Sequence, residues 1–278
     1  MRKLLFTFPL LTCLAGLALS GGNALQAADA QTAQSFKQTV TKTVGYDYLL
    51  ALPKGYDAKG SKQWPLILFL HGSGERGTNV WLVSVHGPPK LLKPDGGPAK
   101  NETPEAKQQR EEAVKKLAEN FIVISPQCPA DGRWDNDTLL ALLDHVMAEQ
   151  KVDASRVYLT GLSMGGFGSW SLGVRNPQRF AAMAPICGGG ERIDILIGSR
   201  QRKADLQSLG VWAFHGGKDP TVPLEESQKM VEALKKAGVK DIQLTVYPEA
   251  GHDSWTVSYA NPKLYDWFLE HRREPGAK

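Results

Sequence analysis

A short run of β-branched and aromatic residues, 156–160, leads directly into a Gly-x-Ser-x-Gly pattern at residues 161–165, and a helix-capable stretch follows. This strand–turn–helix order constrains the fold, because a serine on such a turn is held out from the backbone where a substrate carbonyl can reach it. Flanking glycines leave room for a turn that side chains would crowd. The segment therefore predicts a strand that delivers Ser163 to an exposed corner.

Further strand-like runs recur along the chain, with helical patterns between them. The run at 64–70 is nearly all apolar, as expected for a strand covered on both faces. The seven runs span residues 46–52, 64–70, 121–125, 156–160, 180–186, 211–214 and 242–247. Strands that alternate with helices predict an α/β fold with a mostly parallel, doubly wound sheet.

Four helical segments stand out by their apolar spacing and end signals. They are expected at residues 104–119, at 138 to about 150 with Asp137 as the cap, at 224–237 before Gly238, and from about Pro262 onward. In a parallel sheet, ligands bind at the carboxyl ends of the strands. The polar residues that follow the strands are therefore expected to meet at one edge of the sheet.

A serine hydroxyl is a weak nucleophile at neutral pH, so Ser163 needs a base. His252 lies in the segment Gly-His-Asp-Ser-Trp, which follows the last predicted strand. A loop at this point can place an imidazole above the carboxyl ends of the strands. An imidazole can take the serine proton and return it to a leaving group. His252 is therefore the predicted base.

The other histidines of the mature chain have different contexts. His71 and His215 stand in His-Gly corners after buried strands, where a structural bond to the backbone is the favoured role. His86 lies in an irregular loop and could line a pocket. His145 and His271 lie in or near helices and are expected at the surface.

The base in turn needs an acid that orients it. Asp219 lies in the loop after the next-to-last strand and can fix the tautomer of His252. An ordinary turn residue before proline is the alternative reading of Asp219. Glu225 and Asp253 are weaker candidates for the acid, and Asp253 adjoins the base directly.

The chain order of the three groups is serine, acid, histidine, which is the order of the α/β-hydrolases. Backbone N–H groups should bind the oxyanion of the intermediate. Met164 directly follows the nucleophile and begins a helix, so its N–H is one predicted donor. Ser73, after the His-Gly corner, is the other.

Residues for substrate contacts are less defined by the sequence. Trp134 follows a strand end and could stack on a sugar or aromatic acyl group, or simply pack. Trp255, near the predicted base, and Gln127 are further candidates, with packing favoured for the tryptophan. Glu75 and Arg76 could bind a carboxylate, but a local ion pair that stabilises the loop is the favoured interpretation.

The N-terminus is typical of an export signal. Arg2 and Lys3 precede an apolar run at residues 4–19, and small residues follow. We expect a signal peptide at residues 1–27, with cleavage somewhere between 20 and 30, and a single α/β-hydrolase domain at 28–278. A retained anchor and a lipoprotein cysteine at Cys13 are the alternatives. The mature protein is thus expected in the periplasm or outside the cell, without stable membrane insertion.

The net charge of the chain argues against one class of function. The net charge of +4 falls to 31 − 29 = +2 without the two basic residues of the signal, too little to indicate nucleic-acid binding.

Cys128 and Cys187 could form a disulfide, but they follow strands about 14 Å apart, whereas a bridge needs Cα atoms within about 7 Å. No cluster has metal-ligand spacing and no glycine-rich loop indicates a nucleotide, so no cofactor is expected. The oligomeric state stays open.

Five motifs together resemble exported α/β-hydrolase esterases. They are HGSGERG at 71–77, PQCP at 126–129, TGLSMGG at 160–166, HGGKDPTVP at 215–223 and GHDSW at 251–255. The chain is similar over about residues 40–272 to feruloyl and acetylxylan esterases, polyhydroxybutyrate depolymerase-like esterases and prolyl oligopeptidase-like hydrolases. The resemblance implies the same nucleophile, acid and base as above. Dienelactone hydrolases share the fold but use cysteine, so serine at position 163 disfavours their chemistry.

These observations predict a secreted serine esterase that forms an acyl-enzyme, with acetyl or feruloyl esters of plant polysaccharide as possible substrates. A prolyl oligopeptidase-like peptidase is the alternative enzyme, although the chain has no room for a propeller domain. A catalytically silent carbohydrate-binding protein on the same fold is the alternative of a different class.

Overall fold

The computed structural model describes residues 33–98 and 102–273. Residues 33–42 carry no helix or strand, and a compact unit begins at Thr43. The expected signal peptide and its cleavage site lie outside the described residues. Within the described ranges, no helix combines the length and the apolar character needed to cross a membrane.

The compact unit contains a seven-stranded sheet in the order β1-β3-β2-β4-β5-β6-β7. The strands are β1 (Tyr48–Ala51), β2 (Trp64–Leu70), β3 (Ile122–Pro126), β4 (Val152–Leu162), β5 (Ala182–Ile186), β6 (Gly210–Gly216) and β7 (Ile242–Tyr247). Only the β1–β3 pair is antiparallel. All seven predicted strands and the mostly parallel α/β arrangement are confirmed.

Helices cover the sheet. They are α1 (Gly87–Leu91), α2 (Pro104–Asn120), α3 (Asn136–Glu149), α4 (Met164–Arg175), α5 (Arg192–Gln201), α6 (Lys203–Ser208), α7 (Leu224–Lys236), α8 (Ser254–Ala260) and α9 (Pro262–Glu270). Within the part of the chain that the structure describes, three short 3-10 helices add to them at Ser73–Glu75, Val80–Val85 and Pro177–Arg179. The four predicted helices correspond to α2, α3, α7 and α9.

One predicted cap is wrong. Helix α3 begins at Asn136, and the carboxylate of Asp135 accepts from the N–H of Thr138 at 3.0 Å. The cap is therefore Asp135 rather than Asp137. Asp137 lies in the first turn instead, where its charge complements the helix dipole.

Two hydrophobic cores lie on the two faces of the sheet, and β2 contributes to both. Leu66 and Leu68 belong to one core, while Ile67 and Phe69 belong to the other. All seven residues of β2 are buried because side chains alternate between two covered faces. This buried interior strand anchors the loop at its carboxyl end in both cores.

The two cysteines of the described chain, Cys128 and Cys187, are free and buried. They follow β3 and β5, which the strand order separates by three places. The sheet therefore holds them apart, and the disulfide that the sequence left open does not form here.

Candidate active site

Ser163 lies on the predicted turn between β4 and α4, in a backbone conformation that residues other than glycine rarely adopt. Its φ is 52° and its ψ is −117°. Such a conformation costs about 1–3 kcal/mol and persists only where the surroundings impose it. Here the N–H of Ser163 donates to the carbonyl oxygen of Ile186 at 3.0 Å and to Sγ of Cys187 at 3.3 Å.

The glycine after the turn is needed because α4 approaches β2 closely. A Cβ on Gly165 would lie 1.9 Å from the carbonyl oxygen of Leu70. Any side chain at this position would push the helix away from the strand. The Gly-x-Ser-x-Gly pattern thus sets how tightly the helix that follows Ser163 packs on the sheet.

The structure brings together the three residues singled out as nucleophile, base and acid. Nε2 of His252 lies 2.9 Å from Oγ of Ser163, and Nδ1 of His252 lies 2.7 Å from a carboxylate oxygen of Asp219. The imidazole bridges the hydroxyl and the carboxylate. The arrangement can pass a proton from the serine to the histidine while the carboxylate holds the imidazole in one tautomer.

The two weaker candidates for the acid have other places. The carboxylate of Asp253 accepts from the N–H and the hydroxyl of Thr256 and so caps α8. Glu225 lies in the first turn of α7. Asp219 is therefore the carboxylate that contacts the imidazole.

The carboxylate of Asp219 is fully buried and well satisfied. Burial raises its pKa, but hydrogen bonds from His252 and from the N–H groups of Val222 and Thr221 outweigh this effect and hold the pKa below its usual value. The two N–H groups donate to Oδ1 at 2.9 and 2.8 Å. Asp219 is therefore ionised at neutral pH and can stabilise an imidazolium on His252.

Cys187 lies directly beneath this arrangement. Its φ is 41°, and burial raises the pKa of its thiol to about 12. Its sulfur, a ring nitrogen of His252 and an oxygen of Asp219 lie within 4.8 Å of one another, close enough in principle to hold a metal ion. The thiol is protonated, however, and the other two groups are bonded to each other, so binding a metal would break the contact between base and acid.

The two predicted oxyanion donors line one cavity. Met164 is the first residue of α4 and Ser73 is the first residue of the 3-10 turn Ser73–Glu75. The first N–H groups of a helix have no partner within the helix, so both can point to a ligand. Both residues therefore stand at the wall of this cavity, and Met164 directly follows Ser163.

This cavity has a volume of about 550 Å³. Its wall combines aromatic, basic and acidic side chains: Trp134, Phe167, Arg76, Arg133, Arg175, Glu191 and Asp194. The indole N–H of Trp134 donates to the carbonyl oxygen of His71 at 3.2 Å. Trp134 is therefore both packed and exposed to the cavity, and Phe167 is a wall residue that the sequence did not single out.

Three residues near the cavity differ from expectation. Gln127 is buried away from the cavity, and its amide donates to the carbonyl oxygens of Glu75 and Asn79, both at 2.8 Å. It holds the loop rather than a substrate. The expected ion pair between Glu75 and Arg76 is also absent from the described contacts. Arg76 instead donates to the carbonyl oxygens of Ser73 and Gly132.

Two histidines have the structural roles expected for them. His71 bonds the carbonyl oxygen of Gly72 and accepts from the N–H of Cys128, and burial lowers its pKa to about 4. His215 is buried and bonds Ser227 and the carbonyl oxygen of Val222. Neither ring is available to Ser163.

The two helical histidines differ from each other. The side chain of His145 is 51% exposed, in line with its expected surface position. His271 is only 15% exposed, because its ring packs on Trp267 and bonds Asp241 at 2.7 Å. His271 is thus partly buried at the surface, and it ties the chain after α9 to the loop before β7.

Trp255 does not line the large cavity. Its ring lies edge-on to that of His252, with centroids 5.2 Å apart, and its N–H donates to Nδ1 of His86 at 3.3 Å. His86 therefore contacts the site through Trp255. This contact joins residues 169 positions apart, so no local sequence signal could have indicated it.

The sheet order, the turn at Ser163 and the serine–histidine–aspartate geometry together define an α/β-hydrolase. The chain belongs to the dienelactone hydrolase family, whose model matches residues 89–263. Family membership and the expected fold thus agree. Position 163 holds serine, whereas the resemblance noted above associates cysteine with dienelactone hydrolases.

Relatives and solved structures are similar to this chain over different lengths. A Salmonella typhimurium protein named "Putative carboxymethylenebutenolidase" is 34% identical over 156 residues, which are 50% of this chain and 56% of that protein. An Aspergillus terreus protein named "Probable feruloyl esterase C" is 28% identical over 75% of this chain and 70% of its own length. A solved structure titled "Crystal Structure of a Thermostable Esterase" has a TM-score of 0.60 at 29% identity and covers 81% of this chain and 59% of its own. The chain thus spans about half the length of the first of these relatives.

Proposed function

We propose that this protein is an exported serine esterase that hydrolyses carboxylic esters. The observation that carries the proposal is the hydrogen-bonded series from Ser163 through His252 to Asp219, with distances of 2.9 and 2.7 Å. Met164, the residue after Ser163, lines a cavity of about 550 Å³ together with Ser73. The related proteins with esterase names support the same class of reaction.

In the first step, Oγ of Ser163 attacks the ester carbonyl carbon and its proton passes to Nε2 of His252. The carbonyl π electrons move to the oxygen, which becomes an oxyanion. The N–H groups of Ser73 and Met164 stabilise that oxygen, and each such donor contributes about 10²–10³ to the rate. Asp219 stabilises the positive imidazolium.

In the second step, the tetrahedral intermediate collapses and the bond to the alcohol oxygen breaks. His252 gives its proton to that oxygen, so the alcohol leaves neutral and an acyl-enzyme remains on Ser163. Water then attacks the acyl-enzyme, with His252 again taking and returning the proton. The products are the carboxylic acid and free enzyme.

We propose acetyl or feruloyl esters of plant polysaccharide as the substrates. A cavity of about 550 Å³ is larger than an acetyl group requires. Trp134 and Phe167 offer aromatic surface for a ring or a sugar. The relative named as a feruloyl esterase supports the aromatic acyl group.

Export is part of the proposal and rests on the sequence of residues 1–30, with its basic start, apolar run and small residues. Expression with periplasmic fractionation tests it. N-terminal sequencing of the mature protein should begin between residues 21 and 31. An intact N-terminus on protein recovered from the cytoplasm contradicts export.

The activity is tested with the purified full chain on p-nitrophenyl acetate, methyl ferulate, acetylated xylan and a short peptide panel. We expect turnover of esters and no cleavage of peptides. Ser163→Ala should lower kcat by about 10⁴ or more. Folded protein that hydrolyses none of the esters, or that prefers peptides, contradicts the proposal.

A further inference from the structure

A second line of side-chain contacts reaches His252, separate from its hydrogen bonds to Asp219 and Ser163. It begins at Trp255, which lies in the first turn of α8. The planes of the indole and the imidazole of His252 stand at 88° to each other, with centroids 5.2 Å apart. An aromatic contact of this kind favours one orientation of the imidazole.

The indole is itself held in place by His86. Its N–H donates to Nδ1 of His86 at 3.3 Å, and the two rings lie 5.3 Å apart. An indole N–H can only donate, so Nδ1 of His86 must be the acceptor and carry no proton. The proton of the neutral ring is then on Nε2.

Nε2 of His86 faces a buried carboxylate. It lies 3.9 Å from Oε1 of Glu75, whose side chain is only 10% exposed. Oε2 of Glu75 has no hydrogen-bond partner among the described residues and lies 3.9 Å from Nδ1 of His71. The carboxylate therefore favours an Nε2–H on His86, the tautomer that the indole requires.

Glu75 connects this line of contacts to the oxyanion loop. It ends the 3-10 turn that Ser73 begins, and its own carbonyl oxygen is held by Gln127 at 2.8 Å. The base and one oxyanion donor are thus linked through Trp255, His86 and Glu75. The mechanism described above uses none of these three side chains.

We propose that His86 is a positioning residue of this site. Through Trp255 it fixes the imidazole of His252 against Ser163, and through Glu75 it ties that position to the loop of Ser73. The hydrogen bonds from His252 to Asp219 and Ser163 are both made by ring nitrogens, roughly in the plane of the ring, so the indole that packs at 88° to that plane limits its tilt. Small misplacements of a reacting group cost up to about 10²-fold in rate. The proposal rests on the esterase function above.

The matched pair His86→Asn and His86→Gln tests it. The amide oxygen of asparagine stands where Nδ1 stood and can accept from the indole, whereas the amide of glutamine reaches toward Glu75 instead. His86→Asn should keep at least about half of kcat on p-nitrophenyl acetate, and His86→Gln should lose about tenfold with KM changed less than about twofold. Trp255→Phe, which loses the N–H, should match His86→Gln.

The double variant His86→Gln/Trp255→Phe should lose no more than either single variant, because both remove one interaction. His145→Ala, at an exposed helical histidine, is the control and should keep full activity. Melting temperatures separate positioning from stability, since a purely structural role would lower them without a selective loss of kcat. Equal kcat in the asparagine and glutamine variants, or multiplied losses in the double variant, overturns the proposal.

Labelling with a fluorophosphonate separates this inference from the esterase function. If the unaltered protein labels at Ser163 and hydrolyses esters while His86→Gln keeps full kcat, only the positioning role fails. If the unaltered protein neither labels nor hydrolyses, the proposed function itself fails.

Discussion

The buried imidazole of His71 should make the stability of the protein fall sharply in mild acid. Burial lowers its pKa from 6.5 to about 4, and the bond to the carbonyl of Gly72 only partly opposes this. The unfolded chain takes up a proton on this ring from about pH 6.5 downward, but the folded chain does so only near pH 4. The stabilisation is therefore complete above pH 6.5 and is lost as the pH falls toward 4.

The size of this effect follows from the pKa. Each tenfold change in proton affinity corresponds to about 1.4 kcal/mol. A pKa lowered from 6.5 to about 4 therefore removes about 3 kcal/mol of unfolding free energy between pH 7 and pH 4. That is a large part of the stability of an ordinary domain.

Urea denaturation near pH 7, 5.5 and 4 measures the effect, with His71→Gln as the comparison. Glutamine does not titrate and can still accept from the N–H of Cys128. The difference in unfolding free energy between the unaltered protein and His71→Gln should change by about 3 kcal/mol over this range. Carboxylates that titrate in the same range are common to both proteins and cancel.

His145→Gln serves as the control, because the side chain of His145 is 51% exposed. Its stability should run parallel to that of the unaltered protein, within about 0.5 kcal/mol. If His71→Gln also runs parallel, His71 is not a buried neutral ring, and the reasoning from its burial is refuted.

Two further substitutions test the acid and the nucleophile turn. Asp219→Asn should lower kcat on p-nitrophenyl acetate by about 10⁴ with the fold retained, because an amide can donate to His252 and so favour the wrong tautomer; undiminished turnover contradicts the role. Gly165→Ala should lower the unfolding free energy by about 3 kcal/mol or more in urea denaturation, because its Cβ would lie 1.9 Å from the carbonyl oxygen of Leu70. Gly45→Ala, where a Cβ meets nothing within 4 Å, should stay within about 0.5 kcal/mol, and equal effects of the two alanines would show that the close approach does not matter.

The strands were predictable because burial on both faces leaves an unmistakable apolar run, as in β2. The start of β4 could not be predicted in the same way. It begins at Val152 rather than at residue 156, and Asp153 and Arg156 interrupt its apolar pattern. Those two side chains form an ion pair with each other, at 2.7 Å, so the strand can carry them at its start.

Helix α5 was missed for a different reason. On α5 the apolar side chains of Ile193, Leu196 and Ile197 are exposed by 54%, 47% and 42%. Its buried face carries Asp194, which bonds Arg175. Of the four large apolar residues of α5 only Ile195 is buried, so they do not form the buried stripe on which sequence reasoning relies.

The residues singled out as nucleophile, base and acid came together because each follows the carboxyl end of a parallel strand, a position that topology alone fixes. The surroundings of those residues depend on side-chain directions that topology leaves open. Glu75 turns toward His71 and His86 rather than toward Arg76. Trp255 likewise meets a residue 169 positions away, which no spacing in the sequence indicates.

The identity of the nucleophile is tested most directly by covalent labelling. Folded full-length protein is treated with a fluorophosphonate, and the adduct is located by intact-mass and peptide mass spectrometry. We expect one adduct per chain, on Ser163, and none in Ser163→Ala. Labelling at another residue, or ester turnover that survives unchanged in Ser163→Ala, would contradict the account.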